Sequence, residues 1–197
     1  MGIRSASFSH IKRYYDAQRQ CVTAKLLPGE FYVTDKDEVI GTVLGSCVAA
    51  CLYDSQAHCG GMNHFMLPGM RGSGDGDASA RYGLFAMESL LNELLKLGCR
   101  KERLRAKLFG GAQIVRNMSD VGQKNIHFAR HFLHAEGIAL ESSDLGSIYP
   151  RKVHFFAHSG KALVKRLNSL QESVEHREIE YLQRISHKPV AGSIELF

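Results

Sequence analysis

A chain of 197 residues with 44% hydrophobic and 23% charged residues is long enough to close one core without disulfide or metal support, and this balance excludes a disordered chain. The net charge of +5, with ten neutral histidines, favours an acidic partner without requiring nucleic acid. Nowhere do about 18 apolar residues run together, and the first residues lack a basic leader with an apolar run and cleavage site, so a cytoplasmic protein without membrane insertion is expected.

Residues 1–20, polar and basic around Tyr14-Tyr15-Asp16, read as an arm packed loosely on the body. Leu27-Pro28-Gly29-Glu30 is a turn, and Phe31-Tyr32-Val33-Thr34 reads as a short strand after it. A second strand begins at Val39 and ends at Gly45. Val48 to Tyr53 carries no charge and reads as a buried strand. Asp54 to His58 is its turn, and Gly61 to Leu67 is the strand returning from it, closed by Pro68. Glycine, serine and aspartate between Gly69 and Ala80 predict a mobile loop or lid.

From Arg81 the apolar residues Leu84, Met87, Leu90, Leu91, Leu94, Leu95 and Leu97 recur at helical spacing, with Gly98 as the stop. The run Arg100, Lys101, Arg103, Arg105 and Lys107 is opposed only by Glu102 and reads as a solvated face. No aromatic residues interleave it to stack bases, which argues against nucleic acid. Ala106 to Phe109 predicts a strand entering Gly110-Gly111, continued by Ile114 to Met118, and Val121 to Glu136 a helix with Asp120 as N-cap. Ile138 to Ser143 and Val153 to Ala157 resemble strands. Residues 161–185 suit one or two amphipathic helices before a tail. The expected architecture is α+β: one compact domain, residues 21–165, with a mostly antiparallel β core and two to three packing helices. An N-terminal arm over 1–20 and a C-terminal helix and tail over 166–197 flank it. No Gly-x-Gly-x-x-Gly follows a strand and no Walker sequence is present, so nucleotide chemistry has no support.

The chemistry concentrates at Leu44-Gly45-Ser46-Cys47 and, seventeen positions on, His64. In a hairpin centred between Ser55 and Gln56, Cys47 lies opposite His64 on one face, within reach of a sulfur-to-imidazole hydrogen bond. Ser55-Gln56 is not a preferred two-residue turn, so a longer loop and an offset register are the alternative. An imidazole that takes the thiol proton leaves a thiolate able to attack a carbonyl carbon. Backbone N–H groups around Gly45, Ser46 and Cys47 would then stabilise the oxyanion. Cys47 and Cys51 on one strand stand about 13 Å apart, too far for a shared zinc, so no metal is expected. Five cysteines leave at least one thiol free and suit a reducing compartment. Cys51 and Cys59 read as buried hydrophobes, Cys21 and Cys99 as incidental thiols. Gly110-Gly111 is first a turn, and one that would shape a substrate groove by admitting close backbone approach. Arg151 and Lys152 read as surface charges.

Several ordered motifs between about Tyr14 and Lys165 carry a resemblance. They are Leu27-Pro28-Gly29-Glu30, Val43-Leu44-Gly45-Ser46-Cys47, Gly61-Met62-Asn63-His64-Phe65-Met66-Leu67-Pro68, Arg81-Tyr82-Gly83, Phe109-Gly110-Gly111-Ala112, Gly122-Gln123-Lys124-Asn125-Ile126 and Arg151-Lys152-Val153. Together they resemble the CheD family, the chemoreceptor glutamine deamidases of bacterial chemotaxis. The resemblance implies hydrolysis of receptor glutamine amides to glutamate and ammonia, without a cofactor. It implies a fold similar to cysteine-dependent deamidating toxins, chemoreceptor cytoplasmic domains as partners and, in many relatives, a CheC-type phosphatase partner. The family's cysteine falls on Cys47 and its histidine on His64. Its threonine, six positions before the cysteine, falls on Gly41, and Thr42 beside it would face the other way in an unbroken strand. A bulge presenting Thr42, another group orienting His64, or an incomplete triad are the alternatives. The incomplete triad motivates a second reading, a weakly active or inactive adaptor that binds receptors or the phosphatase. Ser147 and Pro150 also depart from relatives that have glycine near there. The basic run from Arg100 to Lys107 is expected to aid docking on acidic receptor helices.

Overall fold

The computed structural model describes residues 8–68, 76–114, 120–167 and 171–186. The uncharged run after Cys47 forms its central strand, because a strand covered on both faces has no use for alternating polar residues. This strand, β5 (Val48–Asp54), is buried at all seven positions. It follows β1 (Lys12–Asp16), β2 (Cys21–Lys25), β3 (Phe31–Thr34) and β4 (Glu38–Leu44). After it come β6 (Cys59–Asn63), α1 (Gly76–Lys96), β7 (Arg105–Gly110), α2 (Val121–Ala135), β8 (Ala139–Leu145), β9 (Arg151–Phe156), β10 (Lys161–Arg166) and α3 (Gln171–Ser186).

Among the described residues the strands form two five-stranded sheets, ordered β1-β2-β4-β9-β10 and β3-β6-β5-β7-β8. Pairing is antiparallel except for β2 with β4 and β7 with β8. Between the sheets lie Ile40 and Leu44 of β4, Cys51 and Tyr53 of β5, Met62, Met66, Val153 and Phe155. The opposite face of the second sheet, with Val48, Ala50 and Leu52, meets Met87, Leu90 and Leu94 of α1 and Ile126, Ala129, Phe132 and Leu133 of α2. The architecture is therefore α+β, with sheet, sheet and helices in three layers. Each apolar side chain so buried contributes about 1.5–3 kcal/mol. Among the described residues no helix is long and apolar enough to cross a membrane.

Several expectations need correction. Residues 12–16 pair with β2 as an edge strand, so this part of the arm belongs to the first sheet. The helix after the expected loop starts at Gly76, taking in 76–80, while 69–75 lie outside the described residues, as do 115–118 and the tail from 187. Ile114 is not in a strand. Residues 161–166 are β10, not helix: Ala162 and Val164 turn toward the inter-sheet core while Leu163 is exposed, a period of two. Asp120 occupies the N-cap position of α2 without a side-chain cap bond and pairs with Lys124 at 2.5 Å instead. Cys59 and Cys99 are joined as a disulfide, leaving Cys21, Cys47 and Cys51 free. Arg151 is fully buried rather than on the surface. It donates to Asp144 Oδ1 (3.0 Å) and to the Gly146 carbonyl (2.7 Å), fixing the 144–150 loop in which Ser147 takes a left-handed φ of 68°.

Candidate active site

The site begins where the chain crosses from one sheet to the other. β4 ends in the first sheet at Leu44 and β5 begins in the second at Val48, so Gly45-Ser46-Cys47 is the crossing turn. Its carbonyls are tied on one side. Cys47 O accepts from Gly111 N (2.7 Å), Gly45 O from Ala112 N (2.8 Å) and Ser46 O from Asn125 Nδ2 (2.8 Å). A side chain at Gly110, whose φ is +108°, would drive its Cβ into Cys47 O. Gly110 and Gly111 thus brace the back of the cysteine turn, and both are buried.

With its carbonyls held behind, the turn directs its N–H groups to a common point. Gly45 N and Cys47 N donate to Glu178 Oε1 of α3 (2.9 and 3.2 Å), and Ser46 N and Ser46 Oγ to Glu178 Oε2 (2.8 and 2.7 Å). Successive N–H groups converging in this way make an anion-binding nest. A Cβ at Gly45 would overlap Ile114 Cδ1 and meet Glu178 Oε2 at 2.8 Å, so a larger residue there would push both side-chain ends out of their present places.

The hairpin that returns His64 has a four-residue turn, Ser55 to His58, in which Asp54 Oδ1 accepts from Gln56 N and Ala57 N (3.0 and 3.1 Å). Cys51 pairs with Met62 and Val48 bridges Phe65. The register is therefore offset by two from direct opposition of Cys47 and His64, and Met66 stands across from the Cys47 end. An offset of two preserves the face, so His64 lies, like Met62 and Met66, toward the inter-sheet layer that contains Cys47. Asn63, on the other face, accepts from Ala50 N (2.9 Å) and donates to Ala86 O (3.1 Å), binding this bend to α1. His64 itself is held through its main chain: its N–H donates to Glu30 O (2.9 Å) and its carbonyl accepts from Gly29 N (2.7 Å).

Thr42 reaches His64 without a bulge. β4 pairs regularly with β9 from Val39 to Leu44, and its inter-sheet face carries Ile40 and Leu44, hence also Thr42. Gly41 looks the other way, toward His154 and Thr23. Thr42 Oγ1 lies 2.8 Å from His64 Nδ1 and 3.0 Å from the Leu26 carbonyl. A carbonyl only accepts, so the single hydroxyl proton goes to Leu26 O and Nδ1–H donates to Oγ1. That tautomer leaves Nε2 as a free acceptor. Nε2 is buried and makes no hydrogen bond among the described residues, to Cys47 or otherwise.

Both partners are electrically neutral here. Burial, and after it the Arg177 charge, hold the His64 imidazole down to about 3. Burial, then the Glu178 charge and a hydrogen bond to that carboxylate, push the Cys47 thiol well above the ordinary thiol range. Asn125, which a residue-by-residue reading of the sequence does not single out, is fully buried and ties the site together: beyond its bond to Ser46 O, its Oδ1 accepts from Leu67 N at 2.8 Å. Its sequence signal is the Gly122-to-Ile126 motif. Among the described residues no three His, Cys, Asp or Glu side chains converge as a metal site requires. Within the basic run Lys101 pairs with Glu136 (2.7 Å), Arg103 with Asp54 (2.7 Å) and Lys107 with Glu141 (3.4 Å), while Arg100 and Arg105 are exposed.

The family model described as CheD chemotactic sensory transduction matches residues 66–166. A relative from Halorhodospira halophila is 47% identical over 96% of this chain and 91% of its own length. The chain belongs to the CheD family. Another CheD relative, from Herminiimonas arsenicoxydans, is 50% identical over 93% of each chain. Both relatives carry the name probable chemoreceptor glutamine deamidase CheD. Among solved structures, a Bacillus licheniformis hypothetical protein, YfiH, matches this CheD chain with a TM-score of 0.40 and 14% identity, over 60% of this chain and 49% of that one.

Proposed function

We propose that this chain is a chemoreceptor glutamine deamidase in which Cys47 is the nucleophile, His64 the base and Thr42 the residue that orients the imidazole. The observation that carries the reading is the Thr42–His64 contact (2.8 Å), which leaves Nε2 as an acceptor in the layer that contains Cys47. The names of the relatives supply the substrate class, a chemoreceptor glutamine, and the family resemblance supplies its place in the receptor's cytoplasmic domain.

In the proposed reaction His64 Nε2 takes the thiol proton and Cys47 Sγ attacks the carboxamide carbon. The N–H groups of Gly45, Ser46 and Cys47 receive the oxyanion, a service of roughly 10²- to 10³-fold in rate. The C–N bond breaks, the amide leaves as ammonia with the proton from His64, and water cleaves the thioester to give glutamate. Gly110 and Gly111 act by bracing Cys47 from behind, and any groove they shape lies next to that turn. The adaptor reading rests on Gly41, and with Thr42 at His64 that motive lapses. A CheC-type phosphatase enters as a second proposed partner on the family resemblance.

Peptide mass spectrometry of a receptor cytoplasmic domain incubated with the protein tests the reading. Glutamine-to-glutamate conversion that disappears with Cys47→Ala is expected. Conversion that persists in that variant removes Cys47 from the mechanism, and no conversion on a receptor that binds returns the adaptor.

A further inference from the structure

The nucleophile of this site cannot meet a substrate as it stands. Cys47 is 0% exposed, yet the glutamine it would attack belongs to another protein. Its thiol faces Glu178, while His64 Nε2 has no partner among the described residues. The N–H groups that would receive an oxyanion are all occupied by the Glu178 carboxylate, itself only 3% exposed.

The element that delivers this carboxylate is α3. Among its described side chains the buried ones are Val174, Glu178, Tyr181 and Leu182, at i, i+4, i+7 and i+8, so one stripe of the helix faces the site. That stripe holds a single acidic side chain between apolar ones. Val174 clusters with Ala112 and Ile114, the Tyr181 hydroxyl bonds Tyr82 of α1, and Tyr181 lies against Gly29. A glutamate on a helix, with its carboxylate at the nucleophile, is the chemical form in which a helix-borne glutamine would leave this enzyme.

We propose that α3 is an intramolecular stand-in for the product: it closes the groove that takes the substrate side chain and must withdraw before a glutamine enters. The proposal rests on the deamidase reading and names the substrate form, a glutamine on a helix with apolar residues four positions before it and three and four after it. The structure is the closed state. Withdrawal of Glu178 removes a negative charge from beside the thiol and frees the nest in one movement. The same geometry makes a self-substrate. In a full chain carrying Glu178→Gln, the Cys47 Sγ–carbon bond forms as the C–N bond of the side-chain amide introduced at position 178 breaks. Ammonia carries off the proton held by His64, and water then displaces sulfur to restore glutamate.

Four full-length proteins test this: wild type, Glu178→Gln, Glu178→Ala and, as a second way of displacing α3, Val174→Asp. Iodoacetamide labelling at Cys47, read by peptide mass spectrometry, follows closure independently of any deamidation. With an open form populated at about 1–10%, displacing α3 raises labelling and kcat/KM on a receptor domain by about 10- to 100-fold. The Glu178→Gln chain is expected to revert to glutamate at position 178, and to remain glutamine when Cys47→Ala is added. Unchanged labelling and unchanged kcat/KM in both Glu178→Ala and Val174→Asp overturn the closure. A Glu178→Gln chain that converts receptor glutamines but leaves its own amide at position 178 intact overturns the product likeness. Faster labelling with no deamidation by any of the proteins upholds the closure and removes the deamidase reading instead.

Discussion

One hydroxyl proton decides the state of the candidate base. Thr42 gives it to Leu26 O, so the imidazole must carry its own proton on Nδ1 and present Nε2 bare. Valine at 42 keeps the shape and loses the oxygen, leaving Nδ1–H and the Leu26 carbonyl without their partner among buried residues. The expected result of Thr42→Val is a kcat on a receptor domain lower by about 10- to 10²-fold with KM little changed, since general-base help is worth about that much or more. Thr42→Ser, which keeps the oxygen, is expected to restore most of it. Equal activity in Thr42→Val would show that the imidazole is oriented by something else. The backbone behind the nucleophile tolerates still less. At Gly110 the φ of +108° and the close approach to Cys47 O combine strain with overlap, so Gly110→Ala is expected to lose more than about 3 kcal/mol of stability in urea titration.

Among the elements, the crossing turn is set by what packs behind it, and α2 contributes Asn125. Its amide accepts from Leu67 N, past His64, and donates to Ser46 O, beside Cys47. Asn125→Ala leaves both groups buried and unmet, at a cost of about 2 kcal/mol or more, visible as a lower urea midpoint. Asn125→Asp keeps the acceptor but sets a carboxylate against the Ser46 carbonyl, and is expected to lose activity as well as stability. Such long-range ties explain what the sequence can and cannot convey. The uncharged run of β5, the leucine spacing of α1 and the Gly45-Ser46-Cys47 turn are local patterns and are legible. The Cys47–His64 register is not, because Asp54 caps a four-residue turn where only a two-residue turn would oppose the pair directly. The shift of two spares the face but not the opposition. The side of β4 that meets His64 is hidden for a like reason: alternation tells that Gly41 and Thr42 face apart, but only the second sheet tells which way is inward. β10 reads as helix because Leu163, Val164 and Leu167 fit both periods until Ala162 and Val164 find the core. Glu178, 131 residues from Cys47, lies in what reads as one more charged turn of an amphipathic helix.

Across the whole molecule, placing a histidine between two sheets ties folding to pH. The ordinary value of 6.5 for His64 falls to about 3 in the fold, through burial first, so between those values the unfolded chain binds a proton that the native one refuses. Stability then rises with pH across that window and is lost as pH falls through it, by up to about 1.4 kcal/mol per unit. From neutrality to pH 5 the loss from this group is about 2 kcal/mol. His154, lowered to about 4 by burial and then by Arg19 and Lys152, acts with the same sign. The buried Asp54 works in a lower window: its carboxyl is depressed below its ordinary value of 3.8, burial opposing and the Arg100, Arg103 and turn hydrogen bonds prevailing. Its contribution is therefore still present at pH 5 and is lost only in stronger acid. Urea midpoints at pH 7 and pH 5, for wild type and His64→Gln, isolate the histidine. The wild-type midpoint is expected to fall between the two pH values and the variant's to fall by less, the remainder belonging to His154. Parallel falls in the two proteins would mean that His64 takes up its proton without leaving the fold, and that the inter-sheet layer around it is wetter than its burial implies.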